Sequence, residues 1–298
     1  MKIKNFKQLI EASIMKKSNK IAVVAGEDLG ILQVIAKAEE IGLSEFIIIG
    51  DESEIRSIIN NNSLVIKAHV VNEPDHKKAA DMAVDLVVEG EAGTLMKGML
   101  HSSVFLKAIL NKEKGLNTGK HITQISVMEK DNDDGFLFIT DCAITVSPDL
   151  LGKKEVLENA VDLTHKLGIE LPKVAVLASL EVVNPSMQDT IDAAVLSKMA
   201  ERDQITGCIV DGPFAFDNAI SEDAARQKGI TSSVAGNADI IVVPNLTVGN
   251  TLTKSITYIA KKIVVSATVG AAVPIVFTSR TESLEGKLIS IALASYVS

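Results

Sequence analysis

Short β-branched apolar runs alternate with longer amphipathic stretches along most of this chain, a pattern that predicts parallel strands joined by crossover helices. The first such unit is a strand over residues 20–25 followed by a helix over about 29–41. There Leu32, Ile35, Ala36 and Ala38 keep a helical period and Gly42 stops it. The pattern continues with a strand at 46–49, a helix at 53–60, an apolar segment at 64–71, a helix at 75–88 and a strand at 94–96. After a helix near 103–111 the texture changes. Residues 122–128 and 136–140 are apolar runs separated only by the polar turn 129–135, which reads as an antiparallel hairpin. Beyond Pro148 the alternation resumes: helix 153–167, strand 174–178, helix 186–201, strand 208–210, helix 219–227, strand 240–243 and helix 247–260. A strand at 274–278 and a helix at 282–297 close the chain, and the fold class is α/β.

The chain has 298 residues and is 47% apolar, which at about 150 residues per domain predicts two domains, each with a sizeable core. No internal repeat, low-complexity segment or Pro/Gly-rich linker interrupts it, and the hairpin with Pro148 puts a boundary near residues 141–148. Acidic residues outnumber basic ones by 38 to 30, aromatics are 3% and Trp is absent, so the basic, ring-bearing surface that nucleic acid needs is missing. A mean hydropathy of +0.26 raises the question of a membrane. The longest near-continuous apolar stretch, 263–277, is broken by Ser266, Thr268 and Pro274 and is too short to span a bilayer. The first seven residues mix lysines with isolated apolar side chains, unlike a signal peptide. A soluble, cytoplasmic protein is expected, with Cys142 and Cys208 as reduced core thiols.

Several familiar chemistries are disfavoured. Gly26-Glu27-Asp28-Leu29-Gly30 follows the first strand with only two glycines and puts acid where a dinucleotide pyrophosphate would sit. Gly286-Lys287 fails as a P-loop, because Thr281 replaces the first glycine and Leu288 the magnesium-binding hydroxyl. There is no G-x-S-x-G or H-E-x-x-H, and the histidines at 69, 76, 101, 121 and 165 lack metal-ligand spacing, so no metal is expected.

Four strand-to-helix junctions carry small, polar and cationic residues, and such junctions are where open α/β sheets bind ligands. The first, 94–103, contains Lys97, Gly98, His101 and Ser102, a glycine turn and helix start whose backbone N–H groups suit an anion. Ordinary N-capping by Ser102 or Ser103 is the plainer explanation. The second puts Asp211 at a strand end in an Asp-Gly-Pro turn, equally a common structural turn. In the third, Gly249 and Asn250 open a helix and allow a ligand to approach the backbone, or form a plain polar loop. The fourth delivers Ser279-Arg280 from a buried strand onto a helix start. Ser279-x-x-Glu282 there is a capping box, which explains Ser279 and Glu282 but leaves a guanidinium at the positive end of the helix dipole.

Taken in order, these segments resemble the phosphate acetyl/butyryltransferase family, its butyryl branch most closely, over nearly the whole chain. The specific pieces are Lys97-Gly98-Met99-Leu100-His101, the run from Phe105 to Glu113, the run from Asp192 to Met199, Asp211-Gly212-Pro213, and Thr278-Ser279-Arg280. The resemblance implies a two-domain fold related to the isocitrate/isopropylmalate dehydrogenases with an interdomain active-site cleft. Residues 1–141 plus 275–298 would form one discontinuous domain and 142–274 the other. It also implies the reaction acyl-CoA + phosphate ⇌ acyl phosphate + CoA, with butyryl or branched four- to five-carbon acyl groups, no metal or redox cofactor, and a homodimer or higher oligomer. By carry-over, Ser279 would hydrogen-bond the oxyanion or leaving thiolate and Arg280 would hold phosphate. Lys97, Gly98, His101, Ser102, Lys107, Asp211, Gly249 and Asn250 would bind CoA or phosphate. Acetyl-type members place the thiol's base at the position of Gly286 here. Butyryl-type members carry an acid two residues after the Arg, matching Glu282, with Glu285 next in line. Lys107 stands where relatives often have Arg, keeping charge but losing bidentate geometry. Competing expectations are a phosphate acetyltransferase, an NAD(P)-dependent hydroxyacid dehydrogenase on the related fold, and a non-catalytic acyl-CoA-binding protein. The dehydrogenase would need a metal-carboxylate cluster that the sequence does not display.

Overall fold

The structure, a computed structural model, describes residues 2–16, 20–113, 115–131, 135–279 and 281–298. In chain order the elements are α1 (Phe6–Lys16), β1 (Ile21–Val24), α2 (Leu29–Glu40), β2 (Phe46–Gly50), α3 (Glu52–Asn61), β3 (His69–Asn72), α4 (His76–Val88), β4 (Thr94–Lys97) and α5 (Ser102–Ile109). They continue with β5 (Thr123–Glu129), β6 (Phe136–Thr140), α6 (Leu150–Lys166), β7 (Lys173–Leu177), α7 (Gln188–Glu201), β8 (Ile209–Phe214), α8 (Phe216–Ile220), α9 (Glu222–Gln227) and β9 (Ile240–Val242). The last are α10 (Leu246–Tyr258), β10 (Val265–Val269), β11 (Ile275–Val276) and α11 (Leu284–Val297). The chain divides into a middle unit, Met1–Asn5 with His121–Val264, and a terminal unit, Phe6–Lys120 with Val265–Ser298.

In the terminal unit the strand order is β3-β2-β1-β4-β11-β10. All neighbours are parallel except the antiparallel pair β10–β11. Strand β1 is buried at all four residues, as a parallel strand covered on both faces must be. Burying each such Val or Ile side chain contributes about 1.5–3 kcal/mol. Asp28 caps α2 by accepting the Ile31 N–H at 2.9 Å, and Gly42, at φ +70°, ends that helix in the left-handed conformation glycine tolerates. Helix α11 buries Ile289 through Ser295 almost without interruption, so it packs as an interior helix against α1, α2, β10 and β11. Lys16, at the end of α1, donates to the main-chain oxygens of Tyr296 and Ser298 at 2.7 and 2.8 Å, a cation at a helix C-terminus.

In the middle unit the order is β5-β6-β9-β7-β8. The expected hairpin is present as antiparallel β5–β6, and the remaining neighbours are parallel.

The structure departs from the sequence reading in several places. Helix α1 was not predicted, because Lys7 and Lys16 obscure a stripe in which only Phe6, Leu9 and Ser13 are buried. Strand β10 lay hidden in the long apolar run. Strand β8 does not stop at Val210 for an Asp-Gly-Pro turn but continues to Phe214; as the edge strand it tolerates Pro213. The helix expected over 219–227 is two, divided at Ser221, whose hydroxyl caps α9 by accepting the Ala224 N–H at 3.3 Å. The two compact units meet at 5/6, 120/121 and 264/265, whereas the resemblance implies boundaries at 141/142 and 274/275. The hairpin joins the middle unit because β6 pairs with β9, Phe138 with Ile240 and Thr140 with Val242. Strand β10 joins the terminal unit because Thr268 pairs with Ile275 of β11.

Candidate active site

Within the terminal unit, β1 leads to β2 on one side while β4 lies on its other side, so the strand order reverses between β1 and β4. Ligands of open α/β sheets settle outside the strand C-termini at such a point. Strand β11 runs parallel beside β4, with Leu95 opposite Ile275 and Met96 opposite Val276, so its C-terminal end arrives at the same place. There a pocket of about 420 Å³, counted with its open mouth, is lined by Asp28, Ile31, Lys97, Gly98, Met99, Thr278, Ser279 and Lys287. Of the residues singled out in the sequence, the pocket gathers Lys97, Gly98 and Ser279.

Gly98 is there because nothing larger fits: a Cβ would fall 2.0 Å from the Ala25 carbonyl oxygen. The N–H groups of Gly98 and Met99 donate to the carbonyls of Val24 and Ala25 at 2.8 and 2.7 Å. These two amides are therefore engaged with the neighbouring strand end. The Lys97 side chain is buried; its ammonium donates to the Gly98 carbonyl at 3.2 Å and lies 5.6 Å from the centre of the Phe277 ring. His101 is the N-cap of α5, without a side-chain capping bond, and Ser102 and Ser103 fall inside the first turn, so neither serine caps the helix. His101, Ser102 and Lys107 are exposed and do not line the pocket.

The fourth junction also differs from its expected capping box. Helix α11 begins at Leu284, and Ser283 is its N-cap, accepting the Gly286 N–H at 3.0 Å. The Ser279 N–H donates to Glu282 Oε2 at 3.2 Å in a turn that precedes the helix. The Ser279 hydroxyl thus does not cap the helix; it accepts the Thr281 N–H at 3.4 Å and contacts the Thr281 hydroxyl at 3.1 Å, and Ser279 lines the pocket. Arg280 lies outside the described residues. Glu282 is held a second time, since its Oε1 accepts the Ser290 hydroxyl at 3.1 Å, and Ser290 Oγ accepts the Ser266 N–H at 3.2 Å. Burial raises the Glu282 pKa from 4.5 to about 7, against the lowering effect of the Ser279 N–H, the Ser290 hydroxyl and the charge of Lys287. Glu282 does not itself line the pocket, and Glu285 is exposed.

The raised pKa has a measurable consequence. Between pH 4.5 and 7 the folded protein holds a proton at Glu282 that the unfolded chain has lost, so stability falls as pH rises through that window and levels off above it. At about 1.4 kcal/mol per unit, the loss is on the order of 3 kcal/mol. Denaturant unfolding at pH 5 and pH 8 should show a drop that Glu282→Gln abolishes. The same drop in both proteins would mean that another group titrates.

The remaining candidates belong to the middle unit and hold their own chain. The Asp211 carboxylate accepts the Gly212 N–H at 2.8 Å and the Ser197 hydroxyl at 3.5 Å. Gly249 permits a close approach, but by the Asp141 carbonyl oxygen, which a Cβ would meet at 2.4 Å. Asn250 donates from Nδ2 to the Cys142 carbonyl at 3.2 Å. In the Asp192-to-Met199 run, Asp192 forms a buried ion pair with Lys153 at 2.6 Å. Cys142 and Cys208 are free thiols, pushed up by burial to about 12 and about 11. Among the described residues no group of three or more His, Cys, Asp or Glu side chains is arranged to hold a metal, and no helix is long and apolar enough to cross a membrane.

Sequence reading missed Lys287 and Asp28. Lys287 entered only as the last residue of a failed P-loop; its available signal was a lone cation within an almost wholly apolar final helix.

Comparison with known proteins bears on the pocket's use. The family described as phosphate acetyl/butaryl transferase matches residues 65–295. A phosphate butyryltransferase of Clostridium acetobutylicum is 44% identical over 296 residues, covering 99% of this chain and 98% of the relative. A phosphate acetyltransferase of Thermotoga maritima is 41% identical over 279 residues, covering 94% of this chain and 95% of the relative. The crystal structure of a branched-chain phosphotransacylase from Enterococcus faecalis has a TM-score of 0.84 to this chain at 31% identity, covering 94% of this chain and 98% of that one.

Proposed function

Because the chain belongs to the phosphate acetyl/butyryltransferase family, we propose that it transfers a short acyl group, butyryl or branched with four to five carbons, between CoA and inorganic phosphate. The observation that carries this reading is a serine not used as the helix cap that lines a pocket together with two buried lysines. A phosphate oxygen attacks the thioester carbonyl carbon, the C–O bond forms, the C–S bond breaks, and the CoA thiolate leaves to be protonated. Cations suit the phosphate, the Ser279 hydroxyl is a donor for the oxyanion or the departing sulfur, and Ile31 and Met99 offer apolar surface to the acyl chain. Arg280, next to Ser279 in the chain, would hold phosphate, as the resemblance implies.

The proposal extends to the finer expectations: the fold of the isocitrate/isopropylmalate dehydrogenases with its interdomain cleft, a cytoplasmic homodimer, no metal or redox cofactor, and preference for butyryl over acetyl groups. The test is to incubate the protein with butyryl-CoA and phosphate and follow thiol release. Release should require phosphate, proceed without added metal and be faster than with acetyl-CoA. Undiminished release without phosphate would make the protein a thioesterase. CoA binding without turnover would make it an acyl-CoA-binding protein.

A further inference from the structure

Lys287 has an environment that the protein alone leaves incomplete. It lies in the first turns of α11, four residues after the N-cap Ser283, with only 7% of its side chain exposed, and it lines the pocket. The comparably buried Lys153 of the middle unit is matched by Asp192 at 2.6 Å. Among the described residues, no acceptor lies within hydrogen-bond or ion-pair distance of the Lys287 ammonium. Two carboxylates stand nearby; Glu282 feels the charge of Lys287, but the hydrogen bonds of both carboxylates go to other donors. Asp28 accepts the Ile31 N–H at 2.9 Å as the cap of α2, and Glu282 accepts Ser279 N–H and Ser290 Oγ.

The ammonium also sits against the first turn of α2, where a Cβ on Gly30 would fall 3.1 Å from it. It is therefore placed near the positive ends of two helices, α2 and α11, where a cation is disfavoured and an anion favoured. A lysine whose residue is buried but lines the pocket gains from a charge-assisted bond to an anion held there. The same wall carries Lys97 and the hydroxyls of Thr278 and Ser279.

We propose that Lys287 binds the phosphoryl group of a substrate in this pocket, together with Lys97 and Ser279. The identity of the substrate rests on the acyl-transfer reading; the anion site does not. A phosphoryl group has two sources here, inorganic phosphate or the phosphates of CoA.

The test is calorimetric titration of wild type and Lys287→Met with inorganic phosphate, CoA and dephospho-CoA. Loss of one charge-assisted contact should weaken binding about 10- to 100-fold. A loss confined to inorganic phosphate assigns Lys287 to that substrate. A loss confined to CoA assigns it to the cofactor-like tail, and to the 3′-phosphate if dephospho-CoA binds both proteins equally. Either result supports the site. All three ligands binding both proteins within twofold would overturn it. Lys287→Gln serves if the Met variant does not fold, and Lys287→Arg should retain most of the affinity. If the wild type turns over butyryl-CoA while Lys287 proves irrelevant to binding, this inference alone fails. If phosphate binding depends on Lys287 but no acyl transfer occurs, the reaction assignment alone fails.

Discussion

Ser279→Ala is expected to lower kcat by roughly 10²- to 10³-fold with little change in melting temperature. An oxyanion-type donor acts only as charge develops, so its removal is read in turnover more than in substrate binding. The structure separates this from a stability effect because Ser283, not Ser279, caps α11. Ser283→Ala is the matched control: it should cost about 0.5–2 kcal/mol of stability and leave kcat of the folded protein nearly intact. Steady-state kinetics and thermal melts on both variants decide the matter. Wild-type kcat in Ser279→Ala would remove the hydroxyl from the chemistry.

Glu282→Gln should show a rate defect that depends on pH. A CoA thiol with a pKa near that of cysteine, about 8.5, costs about 2 kcal/mol to ionise at pH 7. A base at Glu282, which does not line the pocket and would have to act through a water, would be worth about 30-fold there, and the defect should then close as pH approaches 8.5 and the thiol ionises unaided. The folded pKa of about 7 suits a base working near neutrality. Glutamine keeps the shape of the side chain, and its carbonyl oxygen can still accept the Ser279 N–H. A defect constant across pH would make Glu282 a positioning residue that acts through the Ser279 turn. A wild-type profile would exclude it, leaving Glu285 as the next candidate. A defect of that modest size would be compatible with Gly286 at the position where the resemblance places the base of acetyl-type members. Positioning of phosphate, at about 7–11 kcal/mol, and oxyanion stabilisation, at about 3–4, are each able to contribute more than thiol ionisation.

Much of the terminal unit was legible because its elements announce themselves locally. Strands β1 and β2 are continuous apolar runs, α2 has Asp28 before it and Gly42 after it, and the β5–β6 hairpin is two apolar runs about one polar turn. Legibility failed where the local signal was ambiguous. The apolar stretch before Pro274 does not reveal that it contains a separate strand β10, because a buried run has no period with which to mark its ends. Asp211-Gly212-Pro213 is a turn by composition and a strand by position, since only at a sheet edge is the missing Pro N–H harmless.

The candidate site shows the same division. The amino-acid sequence by itself determined the α/β class, the glycine at 98, and, through ordered motifs, the family and the candidacy of Ser279 and Arg280. Tertiary structure alone decided which of these meet. Strand β11 lies beside β4 only because the end of the chain returns to the first unit, bringing Ser279 to Lys97 and Gly98. It also decided that Ser283 takes over the cap, that the amides of Gly98 and Met99 are already bonded, and that the carbonyl of Asp141 fills the space at Gly249. Lys287 is the clearest case. Its neighbours in sequence describe an ordinary interior helix, and whether a lysine there comes to line a pocket depends on where α2 and β4 come to rest. Helix period and turn chemistry are set by residues a few positions apart, whereas burial and charge pairing are set by segments that meet only when the chain folds.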